Sequence, residues 1–395
     1  MNTIRDFNFS NRKALIRVDF NVPVDGNQKV TDETRINAAI PTIKKILDDG
    51  GSCILMSHLG RPKNGPEDKF SLRHIIPNLD EKLDLTIMFG GDCVGPSAKE
   101  FSGQLKPGQV LLLENVRFHK EETAGDRAFA KELASHGDIY VNDAFGTAHR
   151  AHASTTVAAK FFDDKCCGYV MQAELDNAEK ILNGAEKPLT AIMGGAKISD
   201  KILIIEKLLD IVDNLLIGGG MSYTFTKAKG GNIGNSLLEE DKMELAKELE
   251  AKAAEKGVKL LLPIDTVAAD DFNNEANTQT VAVGEIPDGW QGLDIGPETV
   301  GLFSKVLKSS KTILWNGPMG VFEFPMFAKG TDAIANAVVK ATENGSFSLI
   351  GGGDSASAVN NLGYGDRVSY ISTGGGALLE YMEGRTLPGV AALEE

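Results

Sequence analysis

Short apolar runs alternate with helical patterns along this 395-residue chain, and this alternation restricts the fold more than any other feature. The runs are rich in Ile, Leu and Val and mostly unbroken, as expected for strands covered on both faces. Strands are predicted at Ala14–Val18, Cys53–Met56, Val110–Leu113, Ile139–Val141, Leu189–Met193, Asn214–Ile217, Lys259–Pro263, Thr312–Trp315, Phe347–Ile350 and Val368–Ser372. Helices are predicted at Ile36–Leu47, Asp126–Ser135, Gln172–Leu182, Ser199–Leu209, Glu239–Lys256, Gly330–Thr342 and Ala377–Tyr381. This pattern predicts an α/β fold of parallel sheets with helices on both faces.

Arginine and glycine are distributed unequally along the chain. Arginine is frequent up to Arg150 and then absent until Arg367, whereas the glycine triplets at 218–220, 351–353 and 374–376 all lie later. Arginine binds carboxylate and phosphate with a planar fork of donors, while clustered glycine lets the backbone itself approach a phosphate. The sequence therefore predicts a small, highly charged acid bound by the first part and a nucleotide bound by the second.

The charge of the chain makes this arginine bias more informative. The net charge is -14, from 41 basic and 55 acidic side chains, so non-specific binding of nucleic acid is unfavourable. An anionic substrate is repelled too, unless its site concentrates positive charge locally. The four cysteines have neither zinc-ligand spacing nor a disulfide framework. No signal core or membrane-length apolar run is present, so we expect a cytoplasmic protein with no membrane partner.

The strongest candidates for the acid site follow predicted strands, where parallel sheets bind ligands. Arg61, Arg117 and Arg150 lie in or near such loops, His58 adds a donor beside Arg61, and Arg35 follows a segment typical of a helix start. At the other early positions a solvated surface arginine is the favoured interpretation: Arg5, Arg12, Arg73 and Arg127.

The second predicted site begins at Gly194-Gly195-Ala196-Lys197, which follows a strand. Lys201 comes four residues after Lys197, so the two lysines are expected to share a helix face and to suit adjacent phosphates at a helix opening. The alternative is a tight turn with two solvated lysines. No GxxxxGK[ST] segment occurs in the chain, so it is not a Walker-type nucleotide-binding protein.

The segment Gly351–Ala356 has two interpretations. It fits the loose pattern GxGxx[GA] between a strand and a helix, which is a weak dinucleotide fingerprint. The next predicted strand ends at Ser372-Thr373 without the acidic residue that would bind a ribose, so a dehydrogenase is disfavoured. Asp354 is better explained as a ligand for magnesium carried by a nucleotide, with a helix cap as the alternative. Gly375 opens another helix, whose free amides face any nearby anion.

Taken together, these segments resemble the phosphoglycerate kinase family over essentially the whole chain. In the early part the matching segments are RVDFNVP at 17–23, TDETRINAAIPTI at 31–43, SHLGRP at 57–62, ENVRF at 114–118 and NDAFGTAHRAHAST at 142–155. In the later part they are GGAKISDKI at 194–202, IGGGM at 217–221, DIGP at 294–297, WNGPMGVFE at 315–323, GGGDSASA at 351–358 and ISTGGGALLEYMEGRTLPG at 371–389.

The resemblance implies two doubly wound, Rossmann-like parallel-sheet lobes joined by a long helix and a hinge. The expected lobes are residues 1–170, with a tail at about 385–395 packed back on them, and residues 171–384. It also implies a monomer that transfers phosphate reversibly from 1,3-bisphosphoglycerate to MgADP, giving 3-phosphoglycerate and MgATP after hinge closure.

Site residues follow from the matching segments. The resemblance implies a phosphoglycerate site formed by Asp19, Asn21, Arg35, His58, Arg61, Arg117 and Arg150. It implies a nucleotide site, with Mg²⁺ at Asp354, formed by Lys201, Gly219, Asn316, Glu323, Gly352, Gly353, Asp354 and Ser355. Arg35, Lys197 and the helix start at Gly375 are implied to neutralise the moving phosphoryl group. A two-lobed anion-binding protein without catalysis remains the non-enzyme alternative, in which the lysines and Asp354 have no role.

Overall fold

The computed structural model describes residues 1–63 and 65–395, which divide into two units. Unit 1 comprises Met1–Asp176 and Gly384–Glu395, and unit 2 comprises Asn177–Glu383. The last residues belong to unit 1 because Asn142 and Ala148 both hydrogen-bond the backbone of Gly389, at 3.2 and 2.8 Å.

Unit 1 is built on a six-stranded parallel sheet. Its strands are β1 (Lys13–Arg17), β2 (Ser52–Met56), β3 (Met88–Phe89), β4 (Val110–Leu112), β5 (Ile139–Asn142) and β6 (Lys165–Cys167). The strand order is β3-β4-β2-β1-β5-β6. The helices are α1 (Thr34–Asp48), α2 (Ile76–Leu83), α3 (Pro96–Gln104), α4 (Lys120–Ala124), α5 (Arg127–Ala134) and α6 (Tyr169–Leu182), the last of which continues into unit 2.

Unit 2 contains a second six-stranded parallel sheet and a small antiparallel one. Its strands are β7 (Leu189–Met193), β8 (Asn214–Ile217), β9 (Asn232–Ile233), β10 (Lys259–Leu261), β11 (Asp265–Ala269), β12 (Thr278–Ala282), β13 (Glu285–Ile286), β14 (Gln291–Ile295), β15 (Thr312–Asn316), β16 (Phe347–Gly351) and β17 (Tyr370–Ile371). The helices are α7 (Ile202–Leu208), α8 (Ser222–Ala228), α9 (Met243–Glu255), α10 (Pro297–Ser309), α11 (Lys329–Glu343), α12 (Gly353–Asn361) and α13 (Gly376–Met382), and α14 (Pro388–Ala391) follows in unit 1. The parallel sheet has the order β10-β8-β7-β15-β16-β17, and β12-β11-β14 form the antiparallel sheet.

Burial on both faces of the sheet explains why the strands are unbroken apolar runs in the sequence. Every residue of β2, β7 and β15 is buried, and side chains on both faces of a covered strand must be apolar or satisfied. Helix α1 turns Ile36, Ile43 and Ile46 into the core of unit 1, a spacing that puts them on one helical face.

The prediction of parallel α/β sheets is confirmed. Each predicted strand occurs within a few residues of its predicted bounds, but the short edge strands β3 and β6, the strand pair β9 and β13, and the antiparallel sheet were not predicted. Helix α7 begins only at Ile202, three residues later than expected. Within residues 1–63 and 65–395, no helix has the length and apolarity needed to span a bilayer.

Candidate functional site

The order of strands in each sheet determines where a ligand binds. In unit 1 the chain adds strands on one side of β1 and then returns to add β5 on the other, so the direction reverses between β1 and β5. In unit 2 the same reversal occurs between β7 and β15. Loops diverge at such a point and leave a crevice at the carboxyl ends of the strands.

The crevice of unit 1 is a pocket of about 200 Å³ that contains all seven residues predicted for the acid site. Its lining consists of Asp19, Asn21, Arg35, His58, Gly60, Arg61, Arg117, Gly146, Thr147 and Arg150. Four guanidinium groups thus share the pocket with one carboxylate, that of Asp19, and this excess of positive charge suits an anion.

Hydrogen bonds between neighbouring loops position the pocket side chains. The Asn21 carbonyl accepts a 2.7 Å bond from Arg35 Nη1, while Asn21 Oδ1 accepts the amide of Gly60 at 2.8 Å. The Gly60 carbonyl in turn accepts Arg117 Nη1 at 2.9 Å. Asp19 lies 3.5 Å from Arg35 Nη1. Two arginines are therefore oriented by backbone oxygens, which leaves their other donors for a ligand.

His58 contributes a neutral donor to this pocket. Burial lowers the pKa of His58 well below its usual value, and the charges of Arg17 and the pocket arginines lower it further. His58 Nδ1 lies 3.2 Å from Arg17 Nη2, and because a guanidinium can only donate, Nδ1 accepts and the ring proton lies on Nε2. The imidazole therefore donates a hydrogen bond without being charged.

Arg17 is the main residue at this site that sequence reasoning missed. It is fully buried at the end of β1, where Nε donates to Ser154 Oγ at 2.8 Å and Nη1 donates to the Val18 carbonyl. Ser154 Oγ donates to the buried carboxylate of Glu122 at 2.6 Å. The available signal was an arginine inside an apolar run, which must have buried partners.

The surroundings of Arg117 contain more positive than negative charge. Burial lowers its pKa to about 10, and repulsion from Arg17 and Arg150 adds to the effect. Its Nε is buried without a hydrogen-bond partner among the described residues. Arg61, Arg117 and Arg150 also line an adjoining cavity of about 470 Å³ together with Lys63 and Lys120. A bound anion would relieve the repulsion between these cations.

The crevice of unit 2 depends on close approach of backbone. Gly194 follows β7, and a Cβ atom there would lie 2.1 Å from the Pro318 carbonyl that follows β15. Gly219 has φ +66, and a Cβ atom there would lie 2.6 Å from the Gly195 backbone. Glycine is required at both positions because any side chain would separate the two loops.

These loops border a cavity of about 560 Å³ with mostly apolar walls. Tyr223, Leu237 and Phe272 lie among its lining residues, as does Gly219. The exposed carboxylates of Glu323 and Asp354 line it as well. Apolar walls with few polar groups suit a flat heterocycle, and two acidic groups suit hydroxyls or a cation.

Four further predicted residues meet beside β15. Lys201 Nζ donates to Asn316 Oδ1, and burial lowers the pKa of this lysine. Asn316 Nδ2 is buried without a partner in the part of the chain described, and a Cβ atom on Gly352 would lie 2.7 Å from it. Ser355 is fully buried, and its Oγ accepts the amide of Gly317 at 2.6 Å. The Ser355 oxygen is therefore used as an acceptor, whereas its amide lies at the start of α12.

Two helix starts in unit 2 present free amides. The first bond inside α12 joins the Ala356 amide to the Gly352 carbonyl, so the three preceding amides, which include those of Gly353 and Asp354, point away from the helix. Gly352 and Gly375 cap α12 and α13 with φ values of +90 and +52, which only glycine adopts readily.

The predicted arrangement of the two lysines was wrong. Because α7 begins at Ile202, Lys197 and Lys201 both precede the helix and do not share a helical face. Lys197 is exposed, whereas Lys201 is half-buried against Asn316. The glycine-rich turn after β7 delays the start of the helix. The two cations therefore occupy different environments.

Comparison with known proteins agrees with this geometry. The family model described as phosphoglycerate kinase matches residues 4–385. A phosphoglycerate kinase of Porphyromonas gingivalis is 54% identical over 417 residues, covering 99% of this chain and 100% of that protein. A chloroplastic phosphoglycerate kinase of Volvox carteri is 54% identical over 97% of this chain and 83% of its own length. A phosphoglycerate kinase structure from Coxiella burnetii superposes with a TM-score of 0.89 at 39% identity, covering 99% of this chain and 98% of that one.

Proposed function

This chain belongs to the phosphoglycerate kinase family and is a kinase, and we propose that it transfers a phosphoryl group reversibly from 1,3-bisphosphoglycerate to MgADP. The products are 3-phosphoglycerate and MgATP, which places the enzyme in glycolysis and gluconeogenesis. The observation that carries the proposal is the 200 Å³ pocket in which four arginines outnumber one carboxylate.

The phosphoglycerate occupies the pocket of unit 1. Its carboxylate and phosphate groups accept from the guanidinium donors that Asn21 and Gly60 leave free on Arg35 and Arg117. The Nε2 proton of His58 adds a neutral donor. The fork of each arginine matches two oxygens of such a group at once.

The nucleotide occupies the crevice of unit 2. The apolar walls of the 560 Å³ cavity accept the base, Glu323 accepts from ribose hydroxyls, and the amides at the start of α12 face phosphate oxygens. Lys201 and Asn316 Nδ2 add donors at the same end. Asn316 supports this assignment because a buried amide without a partner is costly unless a ligand satisfies it.

The residues of unit 2 also fit a magnesium ion carried by the nucleotide. Asp354 presents an exposed carboxylate oxygen at the cavity, which is the ligand type that Mg²⁺ prefers. Bound magnesium neutralises phosphate oxygens of the nucleotide. Asp354 holds that charge near α12, where the backbone amides already favour anions.

The reaction needs no general base. The acceptor is a nucleotide phosphate or a carboxylate, and both are deprotonated at neutral pH. The protein must therefore position two anions and neutralise the charge on the transferring group. We assign that neutralisation to Arg35, Lys197 and the amides that follow Gly375.

Transfer also requires that the two ligands meet in line without water. We propose that closure about Gln172–Leu182 and Gly384–Pro388 brings them together and protects the acyl phosphate from hydrolysis. The chain passes between the units within or beside these two segments. Small-angle scattering should show compaction only when both substrates are present, and unchanged dimensions would contradict closure.

The decisive experiment measures ATP formation from ADP, magnesium and 1,3-bisphosphoglycerate, with calorimetric titration of 3-phosphoglycerate. Arg150→Gln should weaken 3-phosphoglycerate binding, whereas Arg127→Gln, an exposed arginine outside the pocket, should not. The proposal fails if no ATP forms, or if NADH binds in preference to ADP.

A further inference from the structure

A cluster of three side chains in unit 1 borders the arginine-lined cavity of about 470 Å³, which His119 also lines, but has no assigned role. Asp92 and Cys93 belong to the loop between β3 and α3, and His119 follows the short 3-10 helix Val116–Phe118. A carboxylate oxygen, a thiol sulfur and an imidazole nitrogen from these residues all lie within 4.8 Å of one another. None of the three residues has a role in the proposed phosphoryl transfer.

We propose that Asp92, Cys93 and His119 form a binding site for a divalent metal of the zinc class. Thiolate, imidazole and carboxylate are the ligand types of protein zinc sites, and thiolate disfavours hard cations such as Mg²⁺. Ligand atoms of a tetrahedral zinc ion lie roughly 3.3 to 3.7 Å apart, since zinc–ligand bonds are about 2.0 to 2.3 Å long. The observed spacing is therefore one small side-chain adjustment from a ligating arrangement.

The cluster is held in place by its surroundings. His119 Nε2 and Asp92 Oδ1 are 2.7 Å apart and share a hydrogen bond, so a metal that displaces this proton must separate them by roughly 0.6 to 1 Å. The His119 ring stacks on Phe129 with centroids 4.8 Å apart. A Cβ atom on Gly95 would lie 2.6 Å from Asp92 Oδ2, so glycine leaves room for the carboxylate.

Backbone groups surround the Cys93 sulfur, and two residues of the cluster line a cavity. Cys93 Sγ lies 2.9 Å from the Glu114 carbonyl, and His136 Nε2 contacts the Cys93 carbonyl at 2.8 Å. Asp92 and His119 line a cavity of about 420 Å³ that admits water. Three protein ligands with one open position are typical of zinc sites that bind water or an exogenous ligand.

Asp92 and Glu114 bring negative charge to a cluster that also borders the arginine-lined cavity. The buried carboxylate of Glu114 accepts from the Leu72 and Asn115 amides and from the Ser71 hydroxyl, all of which are neutral donors. Metal binding displaces the proton of the Cys93 thiol, and the neighbouring carboxylates of Asp92 and Glu114 stabilise a divalent ion.

The test titrates the full-length protein with Zn²⁺ and Co²⁺ in excess Mg²⁺, so that hard-cation sites are filled. We expect one equivalent of each metal to bind, a thiolate-to-cobalt charge-transfer band, and a higher melting temperature with zinc. Cys93→Ser, His119→Gln and Asp92→Asn should each weaken zinc binding at least about 100-fold, since even outer-shell changes cost 10- to 100-fold. Cys93→Ser should also abolish the charge-transfer band.

Two control variants change the same residue types at positions outside the cluster. Cys53→Ser removes another fully buried thiol, and His74→Gln removes a histidine that lies 3.7 Å from Asp68 without a thiol nearby. Both should bind zinc as the wild type does. If Cys93→Ser fails to fold, the test rests on His119→Gln and Asp92→Asn, whose side chains are 26% and 41% exposed.

Three results would overturn the site. They are no stoichiometric zinc binding, cobalt binding without the charge-transfer band, and unchanged zinc affinity in His119→Gln and Asp92→Asn. Since ATP formation is not a readout here, failure of the metal site leaves the proposed kinase reaction untouched, and the reverse also holds.

Discussion

Both units place a crevice where strand addition reverses beside the first strand of the sheet, but they build their anion sites from different groups. In unit 1 the donors are side chains, namely Arg35, Arg61, Arg117 and Arg150 around a pocket of about 200 Å³. In unit 2 the donors at the crevice are largely backbone amides, brought close by glycines such as Gly194 and Gly352.

The difference reflects what each ligand requires. A small acid offers few atoms, so its site needs several strong charges converging from separate loops. A nucleotide offers a base, a sugar and a phosphate chain, so apolar walls and a helix start suffice, and little charge is needed. A site built from side chains should therefore fail when one side chain is removed, and a site built from backbone should fail when a Cβ atom is added.

The largest expected effect tests the side-chain site. Arg35→Ala should lower kcat by about 10²- to 10³-fold, the usual cost of removing one donor matched to developing charge. Arg35→Lys should recover part of the loss, because it restores the charge but not the fork. Steady-state kinetics measure both, with Arg127→Ala as the control from outside the pocket. If Arg35→Ala turned over nearly as fast as the wild type, the anion site of unit 1 would not depend on side-chain charge.

The two units differ at their ligand sites, but both contain a buried aspartate whose pKa is raised. Burial raises the pKa of Asp143 in unit 1 and of Asp294 in unit 2 from 3.8 to about 7. Each carboxylate accepts backbone amides near the start of a helix: Asp143 accepts that of Val170, and Asp294 accepts that of Gly330. Both units therefore attach a helix to the sheet by the same device.

The sign of the pH effect follows from these raised values. A carboxyl group whose folded pKa lies above its unfolded pKa stabilises fully below about pH 4, and this contribution is lost as the pH rises through about 7. Relative to the wild type, Asp143→Asn and Asp294→Asn should each gain on the order of 3 kcal/mol in unfolding free energy between pH 4 and pH 8. Denaturant unfolding at several pH values measures this. If the difference in unfolding free energy between a variant and the wild type did not change with pH, the carboxyl group of that aspartate would already be ionised in the folded wild type.

The sequence predicted the two units to different extents. In unit 1 all seven predicted residues line one pocket, because parallel strands bring strand-end loops together, and their roles in binding stay predictions. Arg17 was missed because its partner Ser154 is 137 residues away, so the apolar run around Arg17 signals burial but does not reveal the partner. The antiparallel sheet of β11, β12 and β14 was missed because β12, Thr278–Ala282, is exposed or half-buried throughout and is not an apolar run.

In unit 2 the glycine positions were predictable but their consequences were not. Gly352 and Gly375 each lie within a glycine triplet of the sequence. Only the backbone geometry shows that each caps a helix with a positive φ. The lysine pair was placed wrongly because propensity does not reveal where α7 begins after a glycine-rich turn. The sequence thus named Gly219, Glu323 and Asp354, which line the cavity, but not the directions in which groups at the crevice point.

The backbone site is tested by adding one methyl group. Gly352→Ala places a Cβ atom 2.7 Å from Asn316 Nδ2 and strains a residue with φ +90. We expect ADP affinity to fall about 10- to 100-fold, since one hydrogen bond to a charged group contributes about 1.5 to 3 kcal/mol. The affinity for 3-phosphoglycerate should not change. Calorimetry with each ligand separates the two.

Gly363→Ala is the matched control for strain. Gly363 also has a positive φ, +73, but nothing lies within 4 Å of its added Cβ atom. This variant should lose stability without losing ADP affinity. If the two variants bind ADP equally well, the amides at the start of α12 are not the phosphate donors.

The smallest effect concerns a side chain in unit 2. Asp354 is exposed, so Asp354→Asn should raise the KM for MgADP only roughly fivefold, because one charge in water contributes about 1 kcal/mol at 4 Å. Excess magnesium should restore the KM in Asp354→Asn but not in Glu323→Gln, whose carboxylate lines the same cavity and is assigned to the ribose. If Asp354→Asn instead reduced turnover as much as Arg35→Ala, unit 2 would depend on side-chain charge as strongly as unit 1, and the contrast between the two sites would not hold.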